Sequence, residues 1–173
     1  MNKKLFKFEI SGFIFVSIIG TLSHFFFDLS NENKFVALFS PVNESPWEHL
    51  KMLFFPFLVF TIFTVIKLKS KNAFIAGYIS IITGMWATLS YFYTLNGAIG
   101  GNNEWVNLSS FFVGILIAFV INYFMLNNAF GRGNPDKLGL ALFTTTALLF
   151  FLFTFKPPLI PLFQDPTSSM FGI

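Results

Sequence analysis

Cysteine is missing from all 173 residues, which excludes disulfides, thiolate metal sites and cysteine nucleophiles. Charge is scarce as well: Asp, Glu, Lys and Arg make up 11% of the chain, and the formal net charge is only +3. There is no H-E-x-x-H zinc pattern and no G-x-S-x-G nucleophile elbow, and "GRGNPD" carries glycines without phosphate-loop spacing, so it is a turn. No internal repeat and no second domain are evident. A nucleic-acid partner is not expected of so weakly charged a chain.

What is present is apolar. Hydrophobic residues make up 54% of the chain and the mean hydropathy is +0.69, values that belong to a membrane protein. The 28 phenylalanines accompany an excess of Ile, Lys and Asn over Ala, Val and Arg. A low-GC genome accounts for that bias, so no aromatic cofactor box is read into it.

A bilayer core of about 30 Å takes about 20 helical residues to cross. Five stretches approach that length, at 10–29, 46–66, 73–95, 105–126 and 138–155, followed by a tail at 156–173. The expected fold is an all-α integral membrane bundle of five transmembrane helices in a single domain, 1–173. "MNKKLFKFE" and "ISGFIFVSIIG" resemble a secretory signal, but the apolar run continues through Phe25, Phe26 and Phe27, and the segment is read as a retained helix. Asn134 and Pro135 look like the N-cap and first residue of the fifth span.

Lys3, Lys4, Lys7, Lys67, Lys69, Lys71, Arg132 and Lys137 are eight of the eleven basic residues, and all fall on one side of this topology. The positive-inside rule makes that side cytoplasmic, with the N-terminus inside and the C-terminus outside. Asp28, Glu32, Glu44, Glu48, Glu104 and Asp165 fall on the other side, as do His24 and His49. The expected location is the cell membrane, a bacterial plasma membrane. Stripes of small and polar residues, among them Ser17, Gly20 and Thr21, then Gly77, Ser80 and Gly84, then Ser110, Gly114 and Ala118, suit close helix packing in lipid.

"NESPWEHLK", residues 43–51, concentrates the costly groups. Ser45, Pro46 and Glu48 form a capping box with proline at the first helical position, in which the Glu48 carboxylate would reach back to the Ser45 amide. Trp47 reads as an interfacial anchor and Lys51 as a snorkelling cation. From Met52 to Ile66 only about 22 Å of apolar helix is available at 1.5 Å per residue, so residues 47–51 are drawn into the interface. If Ser30 and Ser45 mark similar depths, His24 lies about 9 Å and His49 about 6 Å below them, near one level. Asp28, four residues after His24, would orient its imidazole. Pro56 should bend the second span and open a cavity beneath that surface. "KFVALF" is an interfacial or re-entrant piece that returns Asn43 and Glu44 over the bundle.

The tail "KPPLIPLFQDPTSSMFGI" has four prolines but many apolar side chains. It should run extended and fold back onto the outer face, bringing Gln164 and Asp165 toward the histidines. These two segments resemble those of an uncharacterised family of small multipass bacterial membrane proteins, with an N-E-S-x-W-E-H-x-K segment after the first helix and a P-P-x-I-P-L-F-Q-D-P tail. The resemblance implies a family and no activity.

Three functions remain open. The first is a polar pocket of His24, Asp28, Glu44, Glu48, His49, Lys51, Gln164 and Asp165 that binds, and in one version transports, a cation or small polar ligand. His24, His49, Glu44 and Asp165 are its candidate ligands for a divalent metal, although Glu48 and His49, being adjacent on a helix, point about 100° apart and cannot chelate together. The second is a membrane-embedded enzyme acting on a lipid or isoprenoid-linked substrate, with a histidine or Glu44 as general base. The third is a structural or accessory subunit in which Glu48 caps a helix and Lys51 pairs with an acidic neighbour.

Overall fold

In hydrocarbon a chain can satisfy its backbone only within helices or closed barrels, and the computed structural model, which describes residues 2–101, 103–128 and 136–173, is all-helical in its regular structure. Its helices are α1 (Lys3–Ser23), the short α2 (Phe26–Leu29), α3 (Pro46–Leu68), α4 (Ala73–Ile99), α5 (Glu104–Asn127) and α6 (Asp136–Phe155). Single 3₁₀ turns occur at Val36–Leu38 and Pro161–Phe163. Among the described residues there is no β-strand, only an isolated bridge between Gln164 and Phe171. The five longer helices are each long and apolar enough to cross a membrane.

Helix bounds depart from the sequence expectation where hydropathy is blind to local hydrogen bonding. α1 begins at Lys3 rather than near residue 10, because the Asn2 side chain accepts from the Lys4 and Leu5 amides and caps it. It also stops at Ser23, short of 29, and the chain turns through His24 and Phe25 into α2. The phenylalanines that follow keep the segment apolar, so hydropathy gives no sign of the break. The cap expected at Asn134 and Pro135 lies outside the described residues.

Helices α1, α3, α4 and α5 close a ring in which α1 touches α3 and α5, and α4 touches the same two; α1 and α4 stand across from each other without contact. α6 packs on the outside of this ring against α4 and α3. α3 is the central element: 61% of its most apolar stretch is buried inside the protein, against 28% for α1 and for α6. Its Phe54, Phe57 and Phe60 join Val16, Phe119, Phe143 and Phe150 in one core.

The periodicity of α1 separates two faces. Ile10, Ile14, Ile18 and Leu22 are exposed, while Glu9, Gly12, Val16, Gly20 and Ser23 are buried. Large apolar residues outside and small or polar ones inside is the pattern of a helix solvated by lipid. The small residues bring backbones together as expected: a Cβ on Gly84 would come within 2.6 Å of the Gly114 carbonyl, where α4 crosses α5.

The tail folds back onto the end of the bundle where α3 begins. The Asn43 amide donates to the Gly172 carbonyl at 3.1 Å, and the Ile173 amide donates to the Thr154 carbonyl at 3.2 Å. Phe163 is buried there against the Trp47 ring, with centroids 4.9 Å apart.

Candidate functional site

α1 ends and α3 begins at the same end of the bundle, so the turn after Ser23 and the first turns of α3 face each other. Pro46 at the first helical position and the Ser45 hydroxyl, which accepts from the Glu48 amide at 3.3 Å, fix the start of α3. That start sets the direction of His49. Its Nδ1 lies 3.0 Å from the Ser45 carbonyl oxygen. A carbonyl can only accept, so Nδ1 carries the proton and Nε2 points away from the helix backbone.

Glu44 sits between the two imidazoles. Its Oε1 is 3.4 Å from His24 Nε2 and its Oε2 is 3.4 Å from His49 Nε2. The imidazole centroids are 5.2 Å apart. With Nδ1 of His49 already donating, Nε2 and the carboxylate have complementary charge only if a second proton or another cation lies between them. The two imidazoles, His24 first and His49 second, hold the Glu44 carboxyl well below the usual carboxylate range, against the opposite effect of partial burial. All three side chains keep access to the outside, with 31%, 47% and 32% exposure for His24, Glu44 and His49.

One ligand atom from each of these residues lies within 4.8 Å of the others. Zinc bonded to nitrogen and oxygen at about 2.0–2.1 Å in a tetrahedron spaces its ligands by about 3.3 Å; each imidazole is 3.4 Å from its own oxygen of Glu44, and the three-atom set would have to draw in from 4.8 Å to close on one ion. The Ser45 carbonyl supplies the outer hydrogen bond that commonly fixes the tautomer of a metal-binding histidine. Beside this trio lies a cavity of ≈ 490 Å³ at the end of the ring, bounded by α1, α3, α4, α5 and, on one side, Pro166 and Thr167 of the tail.

The remaining sequence candidates lie elsewhere. Asp28 is exposed on α2 and is not part of the cluster. The turn at His24 and Phe25 breaks the helical register that would have placed Asp28 over His24, and Glu44 occupies that role instead. Asp165 is buried within its own turn, accepting on Oδ1 from the Thr167 hydroxyl at 2.6 Å and from the Thr167 and Ser168 amides at 2.7 and 3.2 Å. Burial pushes its carboxyl up, but these donors outweigh it and hold the group below its ordinary range. Gln164 is half-buried and its amide reaches the Ser169 carbonyl. Asp165 and Gln164 thus shape the tail that walls the cavity and lie outside the cluster itself.

Glu48 and Lys51 form a second, separate network. Lys51 is fully buried and does not snorkel. Its Nζ donates to Glu48 Oε2 at 2.6 Å, Thr154 Oγ1 at 2.6 Å, the Ala37 carbonyl at 2.8 Å and the Ser40 carbonyl at 3.4 Å. Glu48 therefore does not complete the capping box: it accepts from Lys51 and from the Val42 amide at 3.1 Å, while the Ser45 amide donates to Asn43 Oδ1. Nor is Trp47 an anchor reaching into the headgroups. Its ring packs between Phe150, at 4.7 Å, and Phe163 of the tail. Sequence reasoning missed Thr154, whose only sign was a hydroxyl near the end of an apolar run. It also took Ser110 solely as a packing residue, and Ser110 lines the cavity together with Thr88.

The chain belongs to a family of unknown function (DUF6512), whose match covers residues 1–173. No curated protein and no solved structure matches it.

Proposed function

We propose that this member of the family is a multipass cell-membrane protein that binds one divalent transition-metal ion through His24, Glu44 and His49, at the extracytoplasmic end of its bundle. The observation that carries this reading is the pair of 3.4 Å approaches by which one carboxylate joins two imidazoles, one of them with its tautomer fixed by the Ser45 carbonyl. Imidazole nitrogen plus carboxylate oxygen suits zinc and its neighbours better than magnesium or calcium, which favour all-oxygen shells.

Three protein donors would leave a zinc ion one further position for a water or a ligand oxygen, and the cavity lies beside them. The same openness supports the second reading, a membrane-embedded hydrolase in which the metal activates water. Binding comes first because it needs no residue beyond the three that meet.

The test is zinc binding to purified protein in nanodiscs, by elemental analysis and calorimetry. One equivalent is expected, with at least tenfold weaker binding in His24→Ala, His49→Ala and Glu44→Gln, in line with the loss of one donor from a small set. Stoichiometry and affinity unchanged in all three variants would refute the site.

A further inference from the structure

At ≈ 490 Å³ the cavity is much larger than a metal ion and its coordinating water require, and it falls in the size range of small-molecule sites. Away from the His–Glu–His cluster its walls are largely apolar, with Leu53 from α3, Leu89 and Phe92 from α4, and Leu108 and Phe111 from α5. Leu108 also belongs to the exposed ridge of α5 that runs through Trp105, Leu108, Phe112, Leu116 and Val120. Three- and four-residue steps place those side chains on one helix face. The apolar lining is therefore continuous with the surface that faces lipid.

Two hydroxyls on the α4 and α5 walls have a definite sense. The Thr88 hydroxyl donates to the Gly84 carbonyl at 3.1 Å and the Ser110 hydroxyl donates to the Asn107 carbonyl at 2.7 Å. With their hydrogens committed to backbone, both present lone pairs to the cavity. These two hydroxyls offer an electron-rich headgroup no hydrogen; its favourable end is the one with the metal donors.

We infer that the cavity takes a single-chain amphiphile, whose oxygen-donor headgroup completes the coordination of the metal at His24, Glu44 and His49 and whose hydrocarbon chain lies along Leu89, Phe92, Leu108 and Phe111. The inference rests on the metal reading. A ligand of this class is already dissolved in the bilayer, and its chain exchanges lipid contacts for apolar side-chain contacts without being dehydrated anew. A soluble polar ligand would leave most of the cavity lining without a partner.

The probe is a ten-carbon fatty hydroxamate with a diazirine at the chain end, added to the protein in nanodiscs with zinc or with zinc stripped. After irradiation, labelled peptides are mapped by mass spectrometry, and zinc is titrated on the same samples. Labelling should concentrate on the segments carrying Leu89 to Phe92 and Leu108 to Phe111, and fall at least tenfold on zinc removal. It should fall equally in Leu89→Trp and Leu108→Trp, which fill the cavity without replacing a metal donor and keep zinc stoichiometry at wild-type level. Zinc binding with label spread over the lipid face of α6, at Leu148 and Leu152, would overturn the amphiphile while sparing the metal site. Absence of zinc binding in the unlabelled protein overturns the metal reading, and this inference with it.

Discussion

Lys51 places its ammonium within 3.4 Å of four oxygen atoms, and none of its side chain is exposed. The buried Glu48 carboxylate is its counter-charge, and breaking such a pair from one side leaves an uncompensated ion in low dielectric. Lys51→Met should therefore destabilise the protein by about 3–5 kcal/mol, lowering the thermal midpoint in detergent by on the order of 10 °C. Adding Glu48→Gln to the same chain should recover part of that loss, since contacting residues are non-additive. A double variant as unstable as the sum of the singles would mean that the two groups are not coupled. The contrast with Glu44 is instructive, because two glutamates and one histidine in six consecutive positions divide into opposite roles. Glu48 is sealed inside and tied to the 36–42 loop and α6, whereas Glu44 stays half exposed between two imidazoles beside a cavity. The residue types were legible in the sequence. Their division was not, because it depends on Thr154, which lies 103 positions along the chain from Lys51, and on carbonyl groups that no side-chain pattern reveals.

At the scale of elements, the C-terminal tail behaves as a clasp across α3 and α6. Phe163 lies against Trp47, the Gly172 carbonyl takes the Asn43 amide, and Ile173 bonds to the Thr154 carbonyl. Gly172 makes the last turn possible: its φ of +63° is in the left-handed region, and a Cβ there would stand 2.7 Å from the Thr154 carbonyl oxygen. Gly172→Val combines a positive-φ cost of about 1–2 kcal/mol with that clash, so the tail should detach while the five long helices stay folded. Limited proteolysis should show cleavage within 156–173 many times faster than in wild type, with unchanged helical circular dichroism. Protection equal to wild type would show that the clasp does not depend on this turn. The tail's return could be read from its apolar residues, which have no reason to face water. The end of α1 could not, because Ser23, His24 and Phe25 break the helix inside a run that remains hydrophobic. That one missed turn moved the partner of His24 from Asp28 to Glu44.

For the whole molecule, alternating helices and the distribution of charge make a single argument. His24 at the end of α1, His49 at the start of α3, Thr88 late in α4 and Ser110 early in α5 meet at one end of the bundle. Lys3, Lys4 and Lys7 at the start of α1, Lys67, Lys69 and Lys71 at the end of α3, and Lys137 at the start of α6 lie at the other. A cytoplasmic leaflet and the insertion machinery both favour lysine on the inner side. In the proposed orientation His24, Glu44, His49 and the tail face outward, and a chain without cysteine offers no thiolate to compete with them for an ion. The lack of cysteine also gives a clean background for labelling. Gly101→Cys marks the loop beside α5 at the site end and Lys71→Cys marks the opposite loop, both at exposed positions. An impermeant maleimide applied to intact cells should modify Gly101→Cys and leave Lys71→Cys untouched until the membrane is permeabilised. The reverse pattern would turn the molecule over. It would place the His24–Glu44–His49 cluster in the cytoplasm and the lysine-rich ends of α1 and α3 outside, against the positive-inside rule.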